Sequence, residues 1–356
     1  VYRHLIAAVL LAGCLPGCNP AKQPEPAAIT RWPVMSTIAE LSLPAAVATN
    51  APVLQPIIAT VFDAVESDLS LFKPESELAR INRNAGTNGP VAISDTTVAV
   101  LAYAIRVARE SQGAFDPTVS PLMKLWGFRG GTTPFKPPAP DAIAATLRQL
   151  GWQHIELLPR DSATVAATAR LALPGMQLDL GGIAKGFAVD RAYEALRDNG
   201  CNNFLINLAG NMRGHGNPEA TRHGWRVGVR NPLQAGTWLG TLALADGEGI
   251  ATSGNYERYV VIDGKRYTHI IDPRTGHPVA GLVSVTVLAT SAMEADALST
   301  ALFVLGVDNR HELLSAHAGC GAIYLLDTHP PRLLVTPDLK SRFHPVPVWQ
   351  DAVEWL

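Results

Sequence analysis

The stretch YERYVVIDGKRYTHIID (256–272) limits the fold of this chain more than any other. Two runs rich in β-branched and aromatic residues flank Asp263-Gly264. An Asp-Gly pair in that setting is a strong short-range hairpin signal, because a tight two-residue turn needs positive φ at both central positions. A hairpin commits the chain to antiparallel pairing and argues against a doubly wound parallel sheet. Further strands are expected at MQLDL (176–180), NNFLINLAG (202–210) and SVTVLAT (284–290), with helices between them. The expected class is α+β, with mixed, mainly antiparallel sheets and packed helices.

Four helical segments stand out. Ile57, Val61, Val65 and Leu69 recur at helical spacing within 53–71, and 94–113 reads as a helix capped by Ser94 or Asp95 and stopped by Gly113. A third runs from Ile183 to Gly200, and a fourth, SAMEADALSTALFVLG (291–306), opens with a Ser291/Glu294 capping box and stops at Gly306. A shorter helix is expected at 141–150, after the Pro-rich connector 134–140. At 356 residues the chain can bury an ample core. Its net charge is −2, with no basic stripe, so nucleic acid is not an expected partner.

The amino end has one Arg, a short apolar run from Leu5 to Leu11, then Ala12-Gly13-Cys14. That run is too short to span a bilayer and has the layout of an export signal, with Cys14 in a lipobox-like setting as the lipidated residue. Cys18 is the poorer alternative because Pro16 precedes it closely. Residues 1–18 are therefore expected to be a lipoprotein signal, 19–31 a Pro- and Ala-rich tether, 32–345 the catalytic domain and 346–356 a tail. The implied location is the inner membrane, lipid-anchored and facing the periplasm. Cys201 and Cys320 lie too far apart for a CxxC site and are expected as buried thiols, or at most one bridge.

Several segments have the chemistry of a site. In LDLGGIAKGFAVD (178–190), Gly181-Gly182 leads into a helix with Lys185 in its first turn. Such a corner is either a structural turn or a place where backbone amides and a cation meet a phosphate. Asp296 and Thr300 stand one helical turn apart on one face, a carboxylate and a hydroxyl suited to Mg²⁺. Apolar neighbours suggest that Asp296 is buried, and a buried carboxylate needs a cation. Asp116-Pro117 reads as a helix cap followed by Pro at the first helical position. Phe72 is either a core aromatic or a stacking surface. His269 ends a strand, on the face of Tyr267 and Ile271, just before the Asp272-Pro273 turn.

Taken together and in order, LFKPESELARIN, GAFDPTVSPL, LDLGGIAKGF, HIIDPRTGHPV and ALSTALFVLG behind EAD resemble the blocks of the ApbE-like FAD:protein FMN transferases. The resemblance runs from about Trp32 to the end and implies a T-fold-like α+β architecture. It further implies Mg²⁺-dependent transfer of FMN from FAD to a Thr or Ser hydroxyl of a target protein through a phosphoester, with AMP released. By the same resemblance, FAD would be contacted by Met35, Phe72, Ala114, Phe115, Asp116, Asp179, Lys185 and Ile270. Mg²⁺ would be held by the Gly182 carbonyl, Asp296 and Thr300, and His269 would take the proton of the acceptor hydroxyl. Phe72 stands where a Tyr is common, and Ser299 where some members have a second Asp metal ligand. Acceptor proteins of membrane electron-transfer complexes are the implied partners. The competing readings are an Mg²⁺-dependent FAD pyrophosphatase yielding FMN and AMP, and a non-catalytic flavin-binding lipoprotein. DSATVAAT (161–168) faintly resembles the family's acceptor pattern, but Val165 breaks it.

Overall fold

The computed structural model describes residues 28–87, 89–129, 137–158, 166–218, 224–262 and 265–356. Its principal sheet has nine strands. They are β1 (Ala28–Val34), β2 (Thr37–Leu43), β3 (Phe204–Leu208), β4 (Asn211–His215) and β5 (Gly249–Gly254). After these come β6 (Leu282–Ala289), β7 (Gly321–Leu326), β8 (Leu333–Val335) and β9 (Val353–Trp355). Spatial order follows chain order. Every adjacent pair is antiparallel except β8–β9, which is parallel.

The α+β class expected from the hairpin is therefore the class observed. Strands 259–262 and 265–268 pair with Ile262 opposite Lys265, and turn residues 263–264 lie outside the described residues.

Four long helices, α1 (Ala51–Leu69), α2 (Asp95–Glu110), α3 (Ala184–Asp198) and α4 (Ala292–Leu305), contribute buried residues to one large apolar core with the sheet. A second core lies between the sheet and the strands Trp225–Arg230, Trp238–Leu244 and Phe343–Pro345. All eight residues of β6 are buried, as expected of a strand covered on both faces.

Several expectations need correction. Helix α1 buries Leu54, Ile58, Phe62, Val65 and Leu69, so its inner stripe is rotated by about one residue from the predicted one. Ile57 and Val61 fall at the edge of that stripe, where they are half-buried. MQLDL is extended but joins no sheet beyond a single bridge from Gln177 to Val119. The Asn82 side-chain amide takes the place of a neighbouring strand there, donating to Leu178 O at 3.0 Å and accepting from Leu178 N at 2.7 Å. No helix starts at Pro117; the next one is Ser120–Leu125.

The domain limits shift at both ends as well. Ala28–Arg31, expected in the tether, are paired in β1. Residues 346–356, expected as a tail, include the short helix Pro347–Gln350 and β9, an edge strand of the principal sheet. Residues 1–18, with Cys14, lie outside the described residues, as does Thr164. Cys201 and Cys320 are both free thiols.

Candidate active site

The site opens beside α3 and α4, which are joined reciprocally. Asp190, on α3, accepts from Ala292 N and Met293 N at 2.9 Å each, capping α4. Asp296, on α4, accepts from Gly186 N at 3.0 Å, near the start of α3. Each carboxylate thus sits at the positive end of the other's helix. Arg213 holds Asp190 at 2.8 Å. The helices can approach because residue 186 is glycine; a Cβ there would come within 2.2 Å of Ala292 O. The capping box is present in altered form: Ser291 Oγ accepts from Glu294 N, but the Glu294 carboxylate turns back to Thr290 rather than Ser291.

A cavity of about 370 Å³ adjoins this pair, within the usual range of a small-ligand site. Met35, Phe72, Ala114, Phe115, Asp116, Asp179, Gly182, Lys185, His269, Ile270, Asp296 and Thr300 all line it. These come from segments more than 250 positions apart, and the fold brings them to one place. Ser299 is the exception among the residues expected there. It is fully buried and does not line the cavity. Its hydroxyl donates to Asp296 O and meets Ser253 Oγ, both at 2.9 Å, so it braces α4 instead of facing a ligand.

Asp296 is 5% exposed. Burial pushes its carboxyl above the ordinary range, opposed by Lys185 at 3.9 Å and by the Gly186 amide. Lys185 Nζ also donates to Gly181 O at 2.7 Å. Thr300 Oγ1 meets Ser253 Oγ at 3.1 Å, and a Cβ on Gly182 would fall 2.9 Å from Thr300 Oγ1. The Gly182 main chain therefore packs directly on the Thr300 hydroxyl. A main-chain carbonyl, a buried carboxylate and a hydroxyl form a hard oxygen donor set, and the carboxylate has room for more positive charge than one lysine supplies. These residues fit Mg²⁺. No cluster of three or more His, Cys, Asp or Glu suited to a metal occurs among the described residues.

His269 lies just past the end of its strand, at Thr268. Its Nδ1 and its backbone N both lie 3.0 Å from Arg258 O. Since a carbonyl can only accept, Nδ1 carries the proton and Nε2 is left with the lone pair. Burial, helped by the positive charges of Arg258, Arg129 and Lys185, lowers the imidazole from 6.5 to about 4. The ring is therefore neutral at physiological pH.

Asp116 also differs from expectation. Its Oδ1 accepts from Thr118 N at 2.8 Å and Thr118 Oγ1 at 2.6 Å, and Oδ2 accepts from Trp152 N at 3.2 Å. It stabilises a turn that shapes the cavity wall, and burial raises its pKa. Met35 and Ser36 form the β1–β2 turn, both at positive φ (48° and 57°). Two non-glycine residues in this conformation are strained, and such strain gathers at ligand sites. Phe72 is 73% exposed, which removes the core-aromatic reading and leaves the stacking one.

Sequence reasoning missed Ser253, Arg258 and Arg129, which also line the cavity, and Asp190 behind it. Asp190 closes the LDLGGIAKGFAVD block, so its position was a usable signal; the others had none.

Comparison with known proteins agrees with this geometry. The model of the ApbE family matches residues 35–324. A FAD:protein FMN transferase of Haemophilus influenzae is 37% identical over 271 residues, 76% of this chain and 77% of the relative. One of Treponema pallidum is 35% identical over 274 residues, 75% of each chain. The crystal structure of the ApbE protein from Thermotoga maritima superposes with a TM-score of 0.75 at 31% identity, covering 86% of this chain and 96% of that one. The flavin transferase ApbE from Vibrio cholerae gives 0.75 at 30% identity, with 89% and 100% covered. With the family match spanning most of the chain and the same fold in solved structures about 30% identical, this protein belongs to the ApbE family.

Proposed function

We infer that this protein is a flavin transferase that moves FMN from FAD to a target protein, with a Thr or Ser hydroxyl as acceptor. The observation that carries this reading is the convergence of His269, Lys185, Asp296 and Thr300 on one cavity. The acceptor oxygen would attack the phosphorus of the FMN half, forming a phosphoester as the bond to the AMP phosphate breaks. His269 Nε2 would take the hydroxyl proton. AMP would leave as an anion, with Lys185 supplying positive charge beside the departing phosphate. A hydroxyl is a poor nucleophile at neutral pH, and a positioned base is worth about 10²–10⁴-fold.

Asp296, Thr300 and the Gly182 carbonyl would hold Mg²⁺. When bound, the ion would neutralise pyrophosphate charge and polarise its oxygens. The Ser253 hydroxyl meets that of Thr300, and the Ser299 hydroxyl donates to the Asp296 main-chain carbonyl, which steadies this turn of α4. Phe72 offers a flat, open surface for a ring of the dinucleotide. The proposed setting is the periplasmic face of the inner membrane, tethered through a lipidated Cys14 and beside membrane electron-transfer acceptors. The short apolar run of residues 5–11 ahead of Ala12-Gly13-Cys14 supports it. Mass spectrometry of the membrane-extracted protein tests the anchor.

Incubation with FAD, Mg²⁺ and a candidate acceptor domain, followed by a denaturing gel, tests the reaction. A fluorescent acceptor band together with stoichiometric AMP is expected. Free FMN and AMP with no band would identify a hydrolase, and FAD recovered intact a binder.

A further inference from the structure

Arg129 follows the Trp126-Gly127-Phe128 turn and belongs to none of the segments that carried the family resemblance. Its side chain is 16% exposed, and it lines the cavity. A guanidinium has five N–H donors. Arg129 spends Nε on Asp179 Oδ2 at 2.8 Å, while Asp179 Oδ1 accepts from Gly181 N at 2.8 Å. Among the described residues, no hydrogen bond involves its Nη1 or Nη2. Asp179 thus holds the guanidinium by one edge and leaves its other donors uncommitted.

Those donors lie at the Gly181 corner. A Cβ on Gly181 would come within 3.3 Å of Arg129 Nη2, and Lys185 Nζ bonds to Gly181 O. Two cations therefore flank one glycine just ahead of the amino end of α3, a 15-residue helix. The cavity as a whole has the opposite balance. Glu66, Asp116, Asp179, Glu257 and Asp296 face Arg129, Lys185 and Arg258. A polyanion entering such a space is repelled wherever the carboxylates dominate and can settle only where cations and a helix amino end coincide.

We infer that Arg129 is a further substrate-binding residue of this protein, its terminal nitrogens hydrogen-bonding a non-bridging oxygen of the FAD pyrophosphate at the Gly181 corner, opposite Lys185. The inference rests on the flavin-transferase reading and adds a residue to it. A planar guanidinium matches phosphate oxygens in a way an ammonium does not. Asp179 then acts through Arg129, as the residue that aims it.

The rival role for Arg129 is to brace the aromatic surface, since its guanidinium lies 5.7 Å from the Phe72 ring. Binding assays with FAD, ADP and riboflavin separate the two, because riboflavin has the ring and no phosphate. Arg129→Ala should weaken FAD and ADP by about 10- to 100-fold, the range for losing a charge-assisted hydrogen bond, and leave riboflavin unchanged. Arg129→Gln, which retains a hydrogen-bonding group toward Asp179, should show the same pattern with an unaltered melting curve. Riboflavin weakened as much as FAD, or all three ligands unaffected, would overturn the inference. Failure of the unaltered protein to bind FAD at all would overturn the transferase reading with it.

Discussion

Asp190 and Asp296 hold each other's helices: the first caps the amino end of α4 from α3, and the second takes the Gly186 amide of α3 from α4. The carboxylate proposed to hold the metal is thus half of a structural clasp, and displacement of either helix moves it. Asp190→Asn presents an amide NH₂ to donors that need an acceptor and leaves Arg213 without its anion. It should cost about 2–4 kcal/mol in urea unfolding and raise the Mg²⁺ concentration needed for half-maximal activity. Gly186→Ala, whose Cβ would meet Ala292 O, should cost about 1–3 kcal/mol with the same loss of Mg²⁺ response.

Asp296→Ala should abolish turnover, read as AMP release from FAD under saturating Mg²⁺. Because Asp296 is the acceptor for the buried Gly186 amide and lies 3.9 Å from Lys185, its removal should cost about 1–3 kcal/mol of stability. A lowered melting temperature in a protein that still folds, with no activity, is the expected pair of results. Residual Mg²⁺-dependent AMP release near the parent rate would contradict the metal assignment.

His269→Ala should stop FMN transfer while FAD still binds, as followed by flavin fluorescence. The pH dependence carries a sign. In the free enzyme the imidazole is held near 4 by burial and by Arg258, Arg129 and Lys185, so kcat/KM should keep its value well below pH 6.5. A bound pyrophosphate offsets those cations and raises the imidazole pKa, so the acid limb of kcat should lie at higher pH than that of kcat/KM. Coincident limbs would mean that the dinucleotide does not reach this ring.

His317 is buried between two carboxylates, Glu294 at 2.7 Å and Glu110 at 3.0 Å. Burial alone would lower the His317 pKa, but these partners raise it, while Glu294 is lowered to about 2 mainly by its bonds to His317 and Thr290 against the opposing effect of burial. A raised histidine stabilises the fold fully below its unfolded pKa of ~6.5 and loses that contribution as pH rises through the folded value. A depressed glutamate stabilises above ~4.3 and loses its contribution as pH falls toward 2. Thermal stability from this cluster should be greatest between those limits. His317→Gln should lower stability by about 3 kcal/mol and flatten the decline above neutral pH in melting curves.

What could be read from the residues alone follows from how local each signal is. Asp296 and Thr300 are one helical turn apart, so periodicity alone puts them on one face. The Gly181-Gly182-Lys185 corner is contiguous. Ser253 and Arg129 reach their partners across 46 and 50 positions, and no spacing rule spans such gaps. The misread strand at 176–180 has the same origin, since Leu178 is paired by a distant Asn82 side chain and Asp179 N by Pro117 O rather than by a neighbouring strand. The hairpin and the four long helices were legible because turn chemistry and 3.6-residue periodicity are written into adjacent positions. The role of 346–356 was not, since its strand exists only where the β8 edge is available to pair it.

The turn at Met35-Ser36 bears on any attempt to harden this protein. An engineer seeking a higher melting temperature would put Asn-Gly there, relieving about 1–3 kcal/mol of backbone strain per residue. That gain would strip the thioether from the cavity lip, so robustness and flavin affinity should move in opposite directions at this one site.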